Sequence, residues 1–151
     1  MKIFIGVTDN RWFDFLAARR PDEVNFWRPR STRGFQAISE GEPFLFKLHA
    51  PDDCVVGGGF FVSHSVLPVS LAWKAFEQKN GVPNPVALLE RVADLGRRRE
   101  LDPFIGCTIL AQPFFFEREQ WIPVPSDWNG RPGNSSSGTT SIGLRREKSC
   151  L

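Results

Sequence analysis

The chain has 151 residues, enough for one domain with one sizeable core. With 41% hydrophobic and 24% charged residues it is ordinary globular material, which excludes wholesale disorder, collagen-like repeats and disulfide scaffolds. Net charge is +2, but residues 129 to 151 carry Arg131, Arg145, Arg146 and Lys148 against Glu147, so the body from 1 to 128 holds 15 basic and 16 acidic residues and exerts no global pull on a polyanion.

From the N-terminus, Lys2 to Val7 alternates with β-branched residues and predicts a strand. Thr8, Asp9 or Asn10 can cap a short helix carrying Trp12, Phe13, Phe15 and Leu16 that stops before Pro21. Residues 21 to 34 show neither period and contain Pro, Gly and Ser, which predicts a loop that is polar except for Val24, Phe26 and Trp27. Glu42 to Leu48 is a second strand, His49 to Asp53 a turn, and Cys54 to Val62 a third strand kinked by Gly57, Gly58 and Gly59.

Pro68 is placed to start a helix running to Asn80 and Gly81, with Leu71, Ala72, Ala75 and Phe76 on one face. Asn84 and Pro85 open another, whose apolar positions Leu88, Leu89, Val92, Ala93 and Leu95 keep helical spacing and whose last turn holds Arg97 to Arg99. Ile105 to Phe116 is the last core strand, bent at Pro113, and Trp121 to Trp128 packs back or leads out. Two segments result: a folded domain over 1 to 128, and a tail over 129 to 151 of Ser, Gly and Thr in which no packed structure is expected. The elements predict an α+β fold, a small curved mixed sheet or barrel flanked by helices.

No apolar run approaches the roughly 20 residues that cross a bilayer, so no membrane role and a cytoplasmic location are expected. Cys54, Cys107 and Cys150 form no CxxC pair, which reads as buried or idle thiols and neither a zinc site nor a disulfide framework. His49 and His64 sit in no catalytic signature, and Gly57 to Gly59 lacks the Lys-Ser/Thr of a phosphate loop. No catalytic residue, metal or cofactor is expected from these motifs.

The basic residues are clustered locally, with Arg11, Arg19, Arg20, Arg28, Arg30 and Arg33 inside 23 residues. Trp27 beside Arg28, Arg30, Ser31 and Arg33 combines a flat apolar face with cations, the residue types that hold an extruded base and its flanking phosphates. The competing reading makes Trp27 and Phe26 a plug for the barrel end and the arginines a solvated loop. Asn25 can hydrogen-bond a base edge or simply form a turn. Lys47 alternates with Phe46 and Leu48 and faces a groove or solvent. On this reading Trp27 is dispensable for folding, whereas Trp73, Phe60 and Phe61 belong to the core.

The runs Asp22 to Trp27, Phe35 to Ala37, Gly41 to Leu48, Val56 to Phe61, Leu71 to Trp73, Ile105 to Cys107 and Phe114 to Phe116 resemble the N-terminal domain of bacterial HNH restriction-type endonucleases. That domain is similar to the PUA-like superfamily of SRA, EVE and YTH base readers. The resemblance spans residues 1 to 128 and implies a module that binds DNA, with a modified base as target, and a separate C-terminal HNH domain that cuts. This chain stops before any such domain, which suggests a truncated or frame-disrupted product, or else a separate reader. Since it contains no HNH motif of its own, whether it acts as an enzyme is left open. The alternatives kept beside this are a PUA-like domain for RNA or a small molecule, or an enzyme using the same pocket; oligomeric state is not legible.

Overall fold

The computed structural model describes residues 1 to 30, 35 to 124 and 135 to 136. Strand β1 (Ile3–Thr8) leads into α1 (Asn10–Arg19), and of the three candidate caps it is Asp9 whose carboxylate accepts from Trp12 N at 2.8 Å. Arg20 closes the helix in the left-handed region at φ 47°, directly before Pro21. The segment predicted as a loop is instead strand β2 (Glu23–Arg28). Its residues Val24, Asn25, Phe26 and Trp27 are all buried, because one face of the strand lines the barrel and the other lies under helices. A strand buried on both faces shows no alternation, which removes the signal that sequence reasoning needs.

Strands β3 (Pro43–Leu48), β4 (Cys54–Pro68) and β5 (Phe104–Phe115) follow, with α2 (Val69–Phe76), a 3-10 turn at Glu77–Asn80 and α3 (Pro85–Gly96) between the last two. Strand β4 runs past the expected end at Val62. Pro68 is the N-cap of α2, and Asn84 caps α3 by accepting from Ala87 N at 2.8 Å. Arg97 to Arg99 lie just past α3 and not in its last turn. The bend in β5 falls at Gln112, φ 48°, beside Pro113. Among the described residues the sheet order is β2-β5-β4-β3-β1-β7, with β6 (Ile122–Pro123) paired to the start of β4. The β1–β3 pair is parallel and the others antiparallel, as a mixed sheet. Strand β7 (Ser135–Ser136) pairs with Ile3 and Phe4 of β1, inside the segment expected to lack packed structure; the rest of 129 to 151 lies outside the described residues.

The sheet rolls until its β2 end meets β1 and β3. The Phe26 and Phe44 rings lie 4.8 Å apart across the interior, and a Cβ on Gly6 would sit 2.6 Å from Phe44 and 2.8 Å from Phe26, so only glycine admits this closure. Gly57 has the same role where β4 meets β5, since a Cβ there would collide with the Phe114 carbonyl. The interior is an aromatic core, with Phe4, Phe44 and Phe46 at 1% exposure or less and Trp12, Phe13 and Leu16 of α1 closing one end. Burying each such side chain contributes about 1.5–3 kcal/mol. A second core outside the barrel packs Val69, Ala72, Leu88 and Val92 of α2 and α3 on Trp27, Ile105, Cys107 and Ile109. Leu71 and Ala75 face solvent, so the buried face of α2 is turned toward Val69, Ala72, Trp73 and Phe76.

Cys107 is a buried free thiol, and burial pushes its pKa up. Cys54 is buried as well. Among the described residues no helix is long and apolar enough to cross a membrane.

Candidate nucleic-acid interface

Trp27 is a core residue. It is 9% exposed, packs in the outer core, and its Nε1 donates to the Asn80 carbonyl at 2.8 Å. Asn25 is fully buried, and its Nδ2 donates to Asn80 Oδ1 at 2.8 Å. Asn80 in turn donates from Nδ2 to the carbonyls of Ala72 at 3.1 Å and Glu77 at 2.9 Å. Asn25, Trp27 and Asn80 thus fasten the 3-10 turn after α2 onto β2, which is why Asn25 and Trp27 are buried and turned away from any ligand. Among the described residues Asn25 Oδ1 is buried without a hydrogen-bond partner, while the Cys107 thiol donates to the Ile105 carbonyl at 3.9 Å.

Lys47 also departs from expectation. It faces neither groove nor solvent, being 9% exposed, with its Nζ donating to the Leu48 carbonyl at 3.1 Å and pairing with Asp53 at 2.8 Å. The irregular register between Phe46 and Lys47 is what breaks the alternation there.

The arginine cluster divides. Arg20 pairs with Glu117 at 2.9 Å, and Arg19 lies over the Phe15 ring while donating to the Phe15 carbonyl at 3.0 Å. Arg28 ends β2, with its guanidinium 5.8 Å from the centre of the Phe4 ring and no carboxylate partner among the described residues. Desolvation by burial pulls the guanidinium pKa below the ordinary arginine value, and the group stays charged in any case. Arg30 reaches the Gly96 carbonyl at the C-terminal end of α3, where a cation suits the helix dipole. Ser31 and Arg33 lie outside the described residues.

Arg28 stands at an open end of the barrel. Pairing register sets Arg28 opposite Gly106, which is opposite Val66; one row inward, Phe26, Thr108 and His64 align in the same way. His64 Nδ1 is 3.0 Å from Thr108 Oγ1. Phe35 covers this row, its ring 4.8 Å from Phe4, 5.3 Å from Phe61 and 5.8 Å from His64, and it stays partly exposed. This end of the barrel therefore brings together the Phe4 and Phe35 rings, a hydroxyl and imidazole pair, and a guanidinium with no carboxylate partner among the described residues. Sequence reading reached Arg28 and Arg30. Phe35 is legible only through the resemblance, and His64 sits in no signature, since the bulged register that aligns it with Thr108 leaves no trace in a single sequence. Among the described residues no group of three His, Cys, Asp or Glu side chains is placed to hold a metal.

The rolled mixed sheet with a helix closing one end matches known structures. The crystal structure of ASCH from Zymomonas mobilis superposes with a TM-score of 0.57 at 12% identity, covering 87% of this chain and 82% of that one. The fold is ASCH-like, and therefore PUA-like. Two single-substitution variants of that ASCH protein agree at a TM-score of 0.50 and 10% identity, covering 83% of this chain and 92% and 89% of theirs. No protein-family model matches the chain, and no curated protein matches it. The likeness fixes the ASCH-like architecture, and the chemistry has to be argued from the mouth itself.

Proposed function

We propose that this ASCH-like domain binds nucleic acid and reads an extruded or unpaired base of DNA at the barrel mouth. The observation that carries the reading is the Arg28 guanidinium held over Phe4 at 5.8 Å without a carboxylate partner among the described residues, next to the partly exposed Phe35 ring, 4.8 Å from Phe4. A base seated against Phe35 gains roughly 1–3 kcal/mol of stacking. The Thr108 hydroxyl, held 3.0 Å from His64 Nδ1, offers its edge a polar group. Arg28 and Arg30 hold the flanking phosphates, joined by Ser31 and Arg33 from the four residues that link Arg30 to Phe35.

The resemblance to HNH-type endonucleases supports the finer terms: the base is a modified one, the reading unit is residues 1 to 128, and cutting belongs to a nuclease domain outside these residues. Fluorescence anisotropy of the full chain with labelled DNA, modified and unmodified, and with RNA of the same sequence tests the proposal at two salt concentrations. Arg28→Ala is expected to raise Kd about tenfold or more, the worth of a charged hydrogen bond, with an unchanged melting temperature. Arg28→Lys should recover only part of it, because the ammonium lacks the planar fork. A shallow salt slope is expected from the neutral body. Absence of binding to every probe, or an Arg28→Ala variant that binds normally, would overturn the proposal, and tighter binding to RNA would reassign the polymer.

A further inference from the structure

We infer that the connection from Arg97 to Phe104 is a second subsite, which stacks a nucleotide flanking the one at the mouth and so selects an unpaired strand over a closed duplex. The inference rests on the barrel-mouth reading above and names the form of nucleic acid that site accepts.

This connection exposes two bulky apolar side chains, Leu101 at 98% and Phe104 at 62%, beside Arg97, Arg98 and Arg99, all three exposed. Among the described residues Arg98 makes a loose ion pair with Glu100 at 3.7 Å, while Arg97 and Arg99 pair with no carboxylate. Apolar faces set among guanidiniums with carboxylate pairing this weak suit a polyanion that carries flat apolar groups, which is the chemistry of a nucleic-acid strand.

The ridge adjoins the mouth. Arg30 bonds the Gly96 carbonyl, and Gly96 lies so close under Pro29 that a Cβ would sit 3.3 Å from it, so the end of α3 abuts the end of β2. On β5, alternation sets Phe104 on the same face as Gly106, the partner of Arg28, and Thr108, the partner of His64. Phe104 is therefore four residues from the reading row, roughly 13 Å along the strand.

The ridge is also held in place. Asp102 accepts from Ser70 N at 2.9 Å and Ser70 Oγ at 2.6 Å, which pulls its carboxyl below the ordinary range, and the Pro103 carbonyl accepts from Val69 N at 3.0 Å. A fixed platform gives up little entropy when a ligand arrives.

Consecutive bases of a duplex strand are about 3.4 Å apart and have no free face except at the ends. A strand that fills the mouth and also covers Phe104 must be unpaired and splayed between the two points.

The test compares a fluorescein-labelled single strand of about 12 nucleotides, within the usual site sizes, with a blunt duplex of the same sequence. The full chain is expected to prefer the single strand. Phe104→Ala should weaken single-strand binding roughly tenfold, an ordinary stacking contribution, with no change in duplex binding or melting temperature, and Phe104→Trp should restore it. Arg28→Ala should weaken both. Single-strand binding that survives Phe104→Ala while Arg28→Ala still impairs it would overturn the subsite and leave the mouth reading intact. Equal competition by polyglutamate would assign the ridge to acidic peptides and overturn it as well. No binding by the unaltered chain would end both readings.

Discussion

Trp27→Ala is expected to lower the melting temperature by roughly 6–20 °C. Truncating a buried Trp costs about 3–5 kcal/mol, and for a chain near this size each kcal/mol moves Tm by about 2–4 °C. The indole is sealed between β2 and the helices of the outer core, and its Nε1 bond to the Asn80 carbonyl goes with it. Thermal and urea unfolding measure the loss. Binding lost at unchanged stability would instead put the indole in the ligand site.

The next largest effect is expected at Asn80. Its side chain joins Asn25 to the Ala72 and Glu77 carbonyls, and Asn80→Ala strands the Asn25 amide inside the protein. Each buried group left unpaired costs about 1–3 kcal/mol, so a loss of about 3 kcal/mol or more is expected. Asn25→Ala should cost less, because it also removes Oδ1, an oxygen that gains no nitrogen or oxygen partner from folding. In the double variant the two losses should fall clearly short of additive, since the second substitution finds the first bond already gone. Urea midpoints of the three variants decide the order. A larger loss from Asn25→Ala would show that the network is not centred on Asn80.

How much of this was written in the sequence differs by element. α1 and α3 were legible because a capping Asp9 or Asn84 stands before a helical apolar period, and β1 and β3 because they alternate. Strand β2 was not, since Val24 to Trp27 is apolar or buried on both faces and Pro21 and Pro29 bracket it as they would a loop. Reading β2 as a loop leaves Trp27 and Asn25 free and hides that the strand turns Phe26 inward and ends in Arg28. The cations were legible as a local cluster, but not their sorting: Arg20 finds Glu117 across 97 positions of sequence, while Arg28 lies over Phe4 with no carboxylate partner among the described residues. Cys54 and Cys107 are both buried, as the absence of any CxxC pair suggests for isolated cysteines.

The central claim is that the barrel mouth is the nucleic-acid site. The most direct measurement is an NMR titration of the isotope-labelled full chain with a short DNA strand, following backbone amides. The account predicts shifts concentrated at Phe4, Arg28, Phe35, His64 and Thr108 and none at Phe60, Phe114 and Phe116, the aromatic strip on the outer side of β4 and β5. Shifts gathered on that strip, with the mouth unchanged, would contradict it.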